Sequence, residues 1–218
     1  SRVGVQLAGA LGGYILLQIT MHAIAILVLY LLASVFGKVP LVTFIRACFQ
    51  PQLITVGTQS SIATLPAMII ASEQKLLLSP KLTNVVLPMA VSVFKAGTVV
   101  SNVIYVLFTA RMYHIEITGV QWITLFIVAF AMAVGAVGLP GSASILAPLL
   151  TLFIAMGLPV QGIPILFAMD TIPDMADTAA NVTADMAAVA IIANGYHDVQ
   201  EKQTISDEII IVEADATY

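Results

Sequence analysis

Two stretches of the chain, Val3 to Phe36 and Ile117 to Met169, contain no formally charged residue. About 20 consecutive apolar residues suffice to cross the hydrocarbon core of a bilayer as a helix. Inside that core every backbone N–H and C=O must be satisfied by the chain itself, as an α-helix does. The composition agrees: 60% of the 218 residues are hydrophobic and 9% are charged, with a mean hydropathy of +1.02. Soluble domains carry about 25% charged residues. A chain this poor in charge cannot clothe itself for water, and we read it as an all-α integral membrane protein.

The few charges are not spread evenly. Of the 12 acids, six follow His197 and four are Asp170, Asp174, Asp177 and Asp185; Glu73 and Glu116 are the rest. The net charge of −4 therefore reports a solvated tail and one helix, and offers no nucleic-acid surface. The single cysteine, Cys48, excludes a disulfide framework and a cysteine-based zinc or iron–sulfur site. The chain opens SRVGVQLAG, without an initiator Met or a signal-peptide pattern, and we expect it to be a piece of a longer protein.

Residues 1–38 read as one transmembrane helix, with His22 as a packing residue inside it. Residues 39–75 hold two short apolar pieces around the polar knot Thr58-Gln59-Ser60-Ser61, the first interrupted by Arg46 and Pro51. Two half-length pieces around a polar tip suggest a re-entrant hairpin, tolerated at membrane depth where protein or a cavity covers it. Residues 79–113 are long enough to span, but VFKAGTVVSN breaks them and puts Lys95 at mid-membrane. A lysine there costs roughly 2.5–3.5 kcal/mol on insertion scales, so it must face a partner or water. Residues 117–160 are cut by GAVGLPGSAS, which allows two spans with a tight turn or a second re-entrant hairpin. Residues 162–195 form a polar spanning helix, and 196–218 an acidic tail.

The order hairpin, broken helix, hairpin, polar helix is an internal repeat. If the hairpins enter from opposite sides it is an inverted repeat, as in secondary transporters that bind substrate near the midplane. The expected architecture is thus an inverted-repeat transport domain with two re-entrant helical hairpins and two broken or polar spanning helices. Lys38, Arg46, Lys75 and Lys81 flank the first hairpin. The positive-inside rule makes that side cytoplasmic and returns the C-terminal tail to the cytoplasm.

At 100° per residue, Asp170, Asp174, Asp177, Asn181 and Asp185 fall at about 0°, 40°, −20°, 20° and 60°. They make one narrow polar stripe, with Thr178 at its edge and Met175, Ala179, Val182, Met186 and Val189 opposite. Charged groups in a membrane face the bundle interior or an aqueous cavity and mark ion or substrate paths. So many like charges in a low dielectric require bound cations or protons. Asp170, Asp174 and Asp177 are the proton-coupling candidates, and Lys95 is the basic group expected to face the stripe.

At these residues the sequence resembles the dicarboxylate/amino acid:cation symporter family, the sodium-coupled glutamate and aspartate transporters and their homologues. The family's last helix, D-x-x-x-D-x-x-R-T-x-x-N-V-x-G-D, is matched by Asp170, Asp174, Asp177, Thr178, Asn181, Val182, Ala184 and Asp185. TQSSIATLP (Thr58 to Pro66) and AVGLPGSAS (Ala136 to Ser144) look like its two hairpin tips, and FKAGT (Phe94 to Thr98) like its N-M-D-G-T break. The resemblance implies a sixth helix plus a mobile transport domain, with an N-terminal scaffold half that forms a homotrimer. It implies substrate contacts at Ser60, Ser61, Gly138, Asp174, Asp177, Thr178 and Asn181, Asp174 holding the amino group. It implies a sodium site at Asp185, with main-chain carbonyls near Ala90, Phe94 and Asn181.

Two departures shape the functional expectation. The family's acidic-substrate arginine is Asp177 here, and an aspartate repels the carboxylate that an arginine would clamp. The sodium-binding Asn and Asp of the break are Phe94 and Ala96, with Lys95 between them as a fixed charge that could balance the carboxylates. The expected function is a secondary active symporter of a small neutral or cationic amino acid or related amine, in a plasma or inner membrane, coupled to Na+, H+ or both. It would move elevator-fashion with the second hairpin as gate. A non-transporting binding homologue is the alternative. An intramembrane aspartyl protease would need facing carboxylates, whereas these acids share one helix. A serine protease at Ser142 or Ser144 would lack a later intramembrane histidine as base.

Overall fold

The computed structural model describes residues 2–134 and 146–215, with side chains described for 9–134 and 146–196. The second hairpin's tip, residues 135–145, which holds Gly138, lies outside the described residues. Every regular element among the described residues is helical. In chain order these are α1 (Arg2–Phe36), α2 (Leu41–Thr58), α3 (Ser61–Lys75), α4 (Pro80–Val93), α5 (Ala96–Met112), α6 (Gly119–Val134) and α7 (Leu146–Met156). A 3-10 turn (Val160–Gly162) then leads to α8 (Ile163–Met169) and α9 (Thr171–Asp215).

Three described segments are long and apolar enough to cross a membrane: Gly9–Phe36, Pro80–Met112 and Thr171–Tyr196. The first buries one face only. Tyr14, Gln18, His22, Tyr30 and Ala33 are buried, while Leu16, Leu17, Ile24, Leu27 and Leu31 between them are exposed. That is a lipid-facing helix laid along α9, with further contacts to α2 and α5.

The first hairpin forms at the polar knot. α2 ends at Gln59, whose backbone turns left-handed (φ 49°). Ser60 then caps α3, its Oγ accepting from the Ala63 N–H at 3.2 Å. At 1.5 Å per residue, the 18-residue and 15-residue arms measure about 27 and 22 Å, short of a hydrocarbon core of about 30 Å. The sequence suggests a break at Pro51, yet α2 runs through it. Pro51 removes one ladder donor, but its ring is buried in the packed interface and the helix holds.

The second spanning segment breaks where FKAGT predicts. α4 stops at Phe94, whose N–H caps the Ala90 carbonyl at 2.7 Å, and α5 starts after Lys95. The polar helix is itself divided: α8 ends at Asp170 and α9 begins at Thr171, with Pro173 in its first turn. The membrane-length part of this helix ends at Tyr196, and α9 itself continues to Asp215.

Two apolar clusters build the core. One joins Tyr14 of α1 to Ile104, Tyr105 and Val106 of α5, and to α6, α7 and α8. The other joins Tyr30 and Ala33 of α1 to α2, α3, Leu87 and Val91 of α4, and Val182, Met186 and Val189 of α9. Between them, at the level of His22, the α4–α5 break and residues 170–181, the side chains are polar. The site lies in that band.

Candidate functional site

The polar stripe of α9 faces the broken helix. Gly97 makes this possible. A Cβ added there would lie 2.4 Å from the Asp177 carbonyl oxygen and 3.1 Å from the Ala180 Cβ. Without one, the first turn of α5 comes against α9 and its unsatisfied amides find a partner. The N–H of Gly97 donates to Asn181 Oδ1 at 2.8 Å, and that of Thr98 lies 3.4 Å from the same oxygen.

The stripe is one face of one helix, but its acids serve different partners. Asp170 accepts a short hydrogen bond from the Tyr105 hydroxyl through Oδ1, and its Oδ2 is buried without a partner. Asp177 accepts from Thr98 Oγ (3.1 Å) and Asn181 Nδ2 (2.6 Å) through Oδ1, and from Ser101 Oγ (2.7 Å) through Oδ2. Asp185 is fully buried, and neither carboxylate oxygen has a hydrogen-bond partner among the described residues. Buried Lys95 is attracted electrostatically to Asp185 and Asp177. Asp174 is half-buried, and its carboxylate makes no hydrogen bond or ion pair among the described residues.

The other expected residues divide similarly. Ser60 and Ser61 are buried at the tip of the first hairpin. That tip reaches α9 through Gln59 Nε2, which donates to the Thr171 carbonyl at 2.9 Å, next to Asp170. Thr178 donates its hydroxyl to the Asp174 carbonyl at 2.8 Å. The Ala90 carbonyl accepts the Phe94 N–H, and the Phe94 side chain is half exposed. Gly138 is outside the described residues.

Sequence reasoning missed His22, Ser101 and Tyr105. Fully buried His22 reaches from α1 to the break: its Nε2 lies 3.2 Å from the Gly97 carbonyl and 3.2 Å from Ser101 Oγ. The available signal was Gln18 four residues earlier, which puts two polar side chains on one face of an otherwise apolar helix.

No cluster of three or more His, Cys, Asp or Glu suited to a metal occurs among the described residues. At Asp185, among the described residues, two buried carboxylate oxygens have no hydrogen-bond partner, and such a group requires a positive neighbour. Phe94 and Ala96 add no side-chain oxygen there.

Spanning helices and buried acids opposite a helix break define an integral membrane protein with a polar interior. The chain belongs to the sodium:dicarboxylate symporter family, whose family model matches residues 1–195. The family is one of symporters rather than enzymes. The chain is 30% identical to human Neutral amino acid transporter A over 94% of its length and 37% of that protein's. It is 31% identical to bovine (Bos taurus) Neutral amino acid transporter B(0), over 98% of its length and 39% of that protein's. It is 30% identical to human Excitatory amino acid transporter 2, over 71% and 26%. The chain thus spans well under half the length of these relatives.

Proposed function

We propose that this chain forms the substrate-carrying part of a cation-coupled secondary transporter for a small neutral or cationic amino acid or a related amine. The observation that carries the reading is the pair of acids left open on α9. Among the described residues, the half-buried Asp174 carboxylate makes no hydrogen bond or ion pair, and wholly buried Asp185 has no hydrogen-bond partner at either oxygen. An amine and a cation are the ligands that such acids require in a low dielectric.

In this reading Asp174 holds the substrate's amino group, and Ser60, Ser61, Thr178, Asn181 and Gly138 surround its carboxylate. Asp185 holds Na+ with backbone carbonyls at Ala90, Phe94 and Asn181. A bound sodium ion supplies charge neutralisation and nothing more. Lys95 gives a second source of positive charge at the same acid, and Asp170 a second acid open to a proton. The printed names of the relatives support an amino acid as substrate. Asp177 in place of an arginine argues against an acidic side chain on that substrate. An elevator motion gated by the second hairpin, a trimer built through an N-terminal half, a plasma or inner membrane and a cytoplasmic C-terminus complete the proposal.

The test is uptake by the purified full-length protein in liposomes. Asp174→Asn removes a charge-assisted hydrogen bond, and the initial rate should fall roughly 10- to 100-fold. Undiminished uptake would overturn the assignment. Phe94 and Ala96 favour one second reading, a binding homologue that does not transport. Saturable substrate binding without flux would establish it.

A further inference from the structure

The sequence places Asp177 among the substrate ligands, but its surroundings give it other work. The residue is 6% exposed, and both its oxygens are in use. Thr98, Asn181 and Ser101 supply three donors to a group with about four acceptor positions. Two of the three donors come from α5 and the third from α9 itself. Nothing in this arrangement awaits an incoming amine. Asp174, three residues earlier, is the acid that remains open.

The proton count extends the network into α1. The Ser101 hydroxyl has one hydrogen and donates it to Asp177 Oδ2 at 2.7 Å. Toward His22 Nε2, 3.2 Å away, Ser101 is therefore an acceptor. The same Nε2 lies 3.2 Å from the Gly97 carbonyl, and His22 Nδ1 lies 2.7 Å from the Gln18 carbonyl. Carbonyl oxygens only accept. His22 thus bridges α1 to the break with contacts from both ring nitrogens. The other ionisable groups that reach the network are Asp170 at the α8–α9 junction, Asp174 of α9, Lys95 of the break, Tyr14 of α1 and Tyr105 of α5.

We propose that Asp177 is an internal anchor rather than a substrate ligand. Joined to His22 through Ser101, it holds the broken helix against α9. Asp174 alone then meets the charge of the substrate. One open acid matches the α-amino group that every amino acid carries, and a second positive charge on a side chain finds no partner. This last consequence rests on the transport reading above; the His22–Ser101–Asp177 relay does not.

The experiment uses the full-length protein in nanodiscs and the variants His22→Gln, Ser101→Ala, Asp177→Asn and His22→Gln/Asp177→Asn. Each single change should lower the Tm by roughly 3–8 °C. The double variant should melt no more than about 2 °C below the worse single, because one relay is broken twice. Losses that simply add would overturn the relay. The second arm measures the thermal shift given by L-alanine and by L-lysine. Asp177→Asn should leave the preference between them as in the unmodified protein. A selective loss of L-lysine binding, at least tenfold, would make Asp177 a substrate ligand after all. If neither amino acid shifts the unmodified protein, the transport reading fails, and the melting cycle still decides the relay.

Discussion

Gly97→Ala is expected to yield a full-length protein whose helices insert but whose core does not close, with a Tm roughly 10 °C or more below that of the unmodified protein and no amino-acid binding. The added methyl carbon would stand 2.4 Å from the Asp177 carbonyl oxygen and 2.9 Å from Asp177 Oδ1. The carbonyl belongs to the backbone of α9 and cannot rotate away. α5 would have to withdraw, and its bonds to Asn181 and Asp177 would go with it. Overpacking costs about 1–3 kcal/mol, and each bond lost to a charged group about 1.5–3 kcal/mol. A loss of roughly 4 kcal/mol converts to about 8–16 °C for a protein of this size. Thermal unfolding by intrinsic fluorescence is the measurement. A Tm within about 2 °C of the original would mean that α5 and α9 are not in such close contact.

Lys95→Met should be the most informative change to a charge. Asp185 is fully buried with no hydrogen-bond partner among the described residues, and buried Lys95 acts on it across the site without an ion-pair contact. Removing the cation that compensates a buried carboxylate costs up to about 3–5 kcal/mol, the figure for a pair in contact. The variant should therefore melt roughly 10 °C lower in choline chloride. Sodium chloride should restore part of the loss, since a cation that binds only the folded state stabilises it by about 2.7 kcal/mol at a hundred times its Kd. The unmodified protein, with its own ammonium in place, should respond less. Equal sodium stabilisation of both proteins would show that Lys95 does not stand in for a bound ion.

Much of this was legible in the amino-acid order. A long apolar segment with Lys95 and Gly97 at its centre announces a broken span, because a mid-membrane lysine needs a partner and a glycine weakens the helix there. The break is found at Phe94–Lys95. The 100° spacing of the acids gave the polar face of α9, and Gln59-Ser60 gave the turn between α2 and α3. Which partner each acid would take was not legible. That depends on the depth and rotation of α5 against α9, set by the close approach at Gly97, and periodicity along one helix carries no information about its neighbour. His22 was hidden for the same reason. On its own helix it is one polar residue in an apolar run, and its meaning comes from Gly97 and Ser101, more than seventy positions away. Pro51 shows the opposite limit: a residue that breaks isolated helices is overridden where packing favours the helix.

The bonding around the break is unevenly shared, and that has a mechanical consequence. Gly97, Thr98, Ser101 and Tyr105 tie α5 to α9, and His22 ties it to α1. Toward α6, by contrast, α5 offers one side-chain bond among the described residues, from Asn102 Nδ2 to the Ala129 carbonyl at 3.3 Å. The remaining contact is apolar, through Leu125 and Ala129 on α6 and Leu149, Leu152 and Phe153 on α7. Directional bonds must be broken before helices part, whereas apolar side chains can slip by a rotamer at a time. The molecule thus has a welded seam on one side of α5 and a bearing on the other, and shear between its parts is cheapest along the bearing.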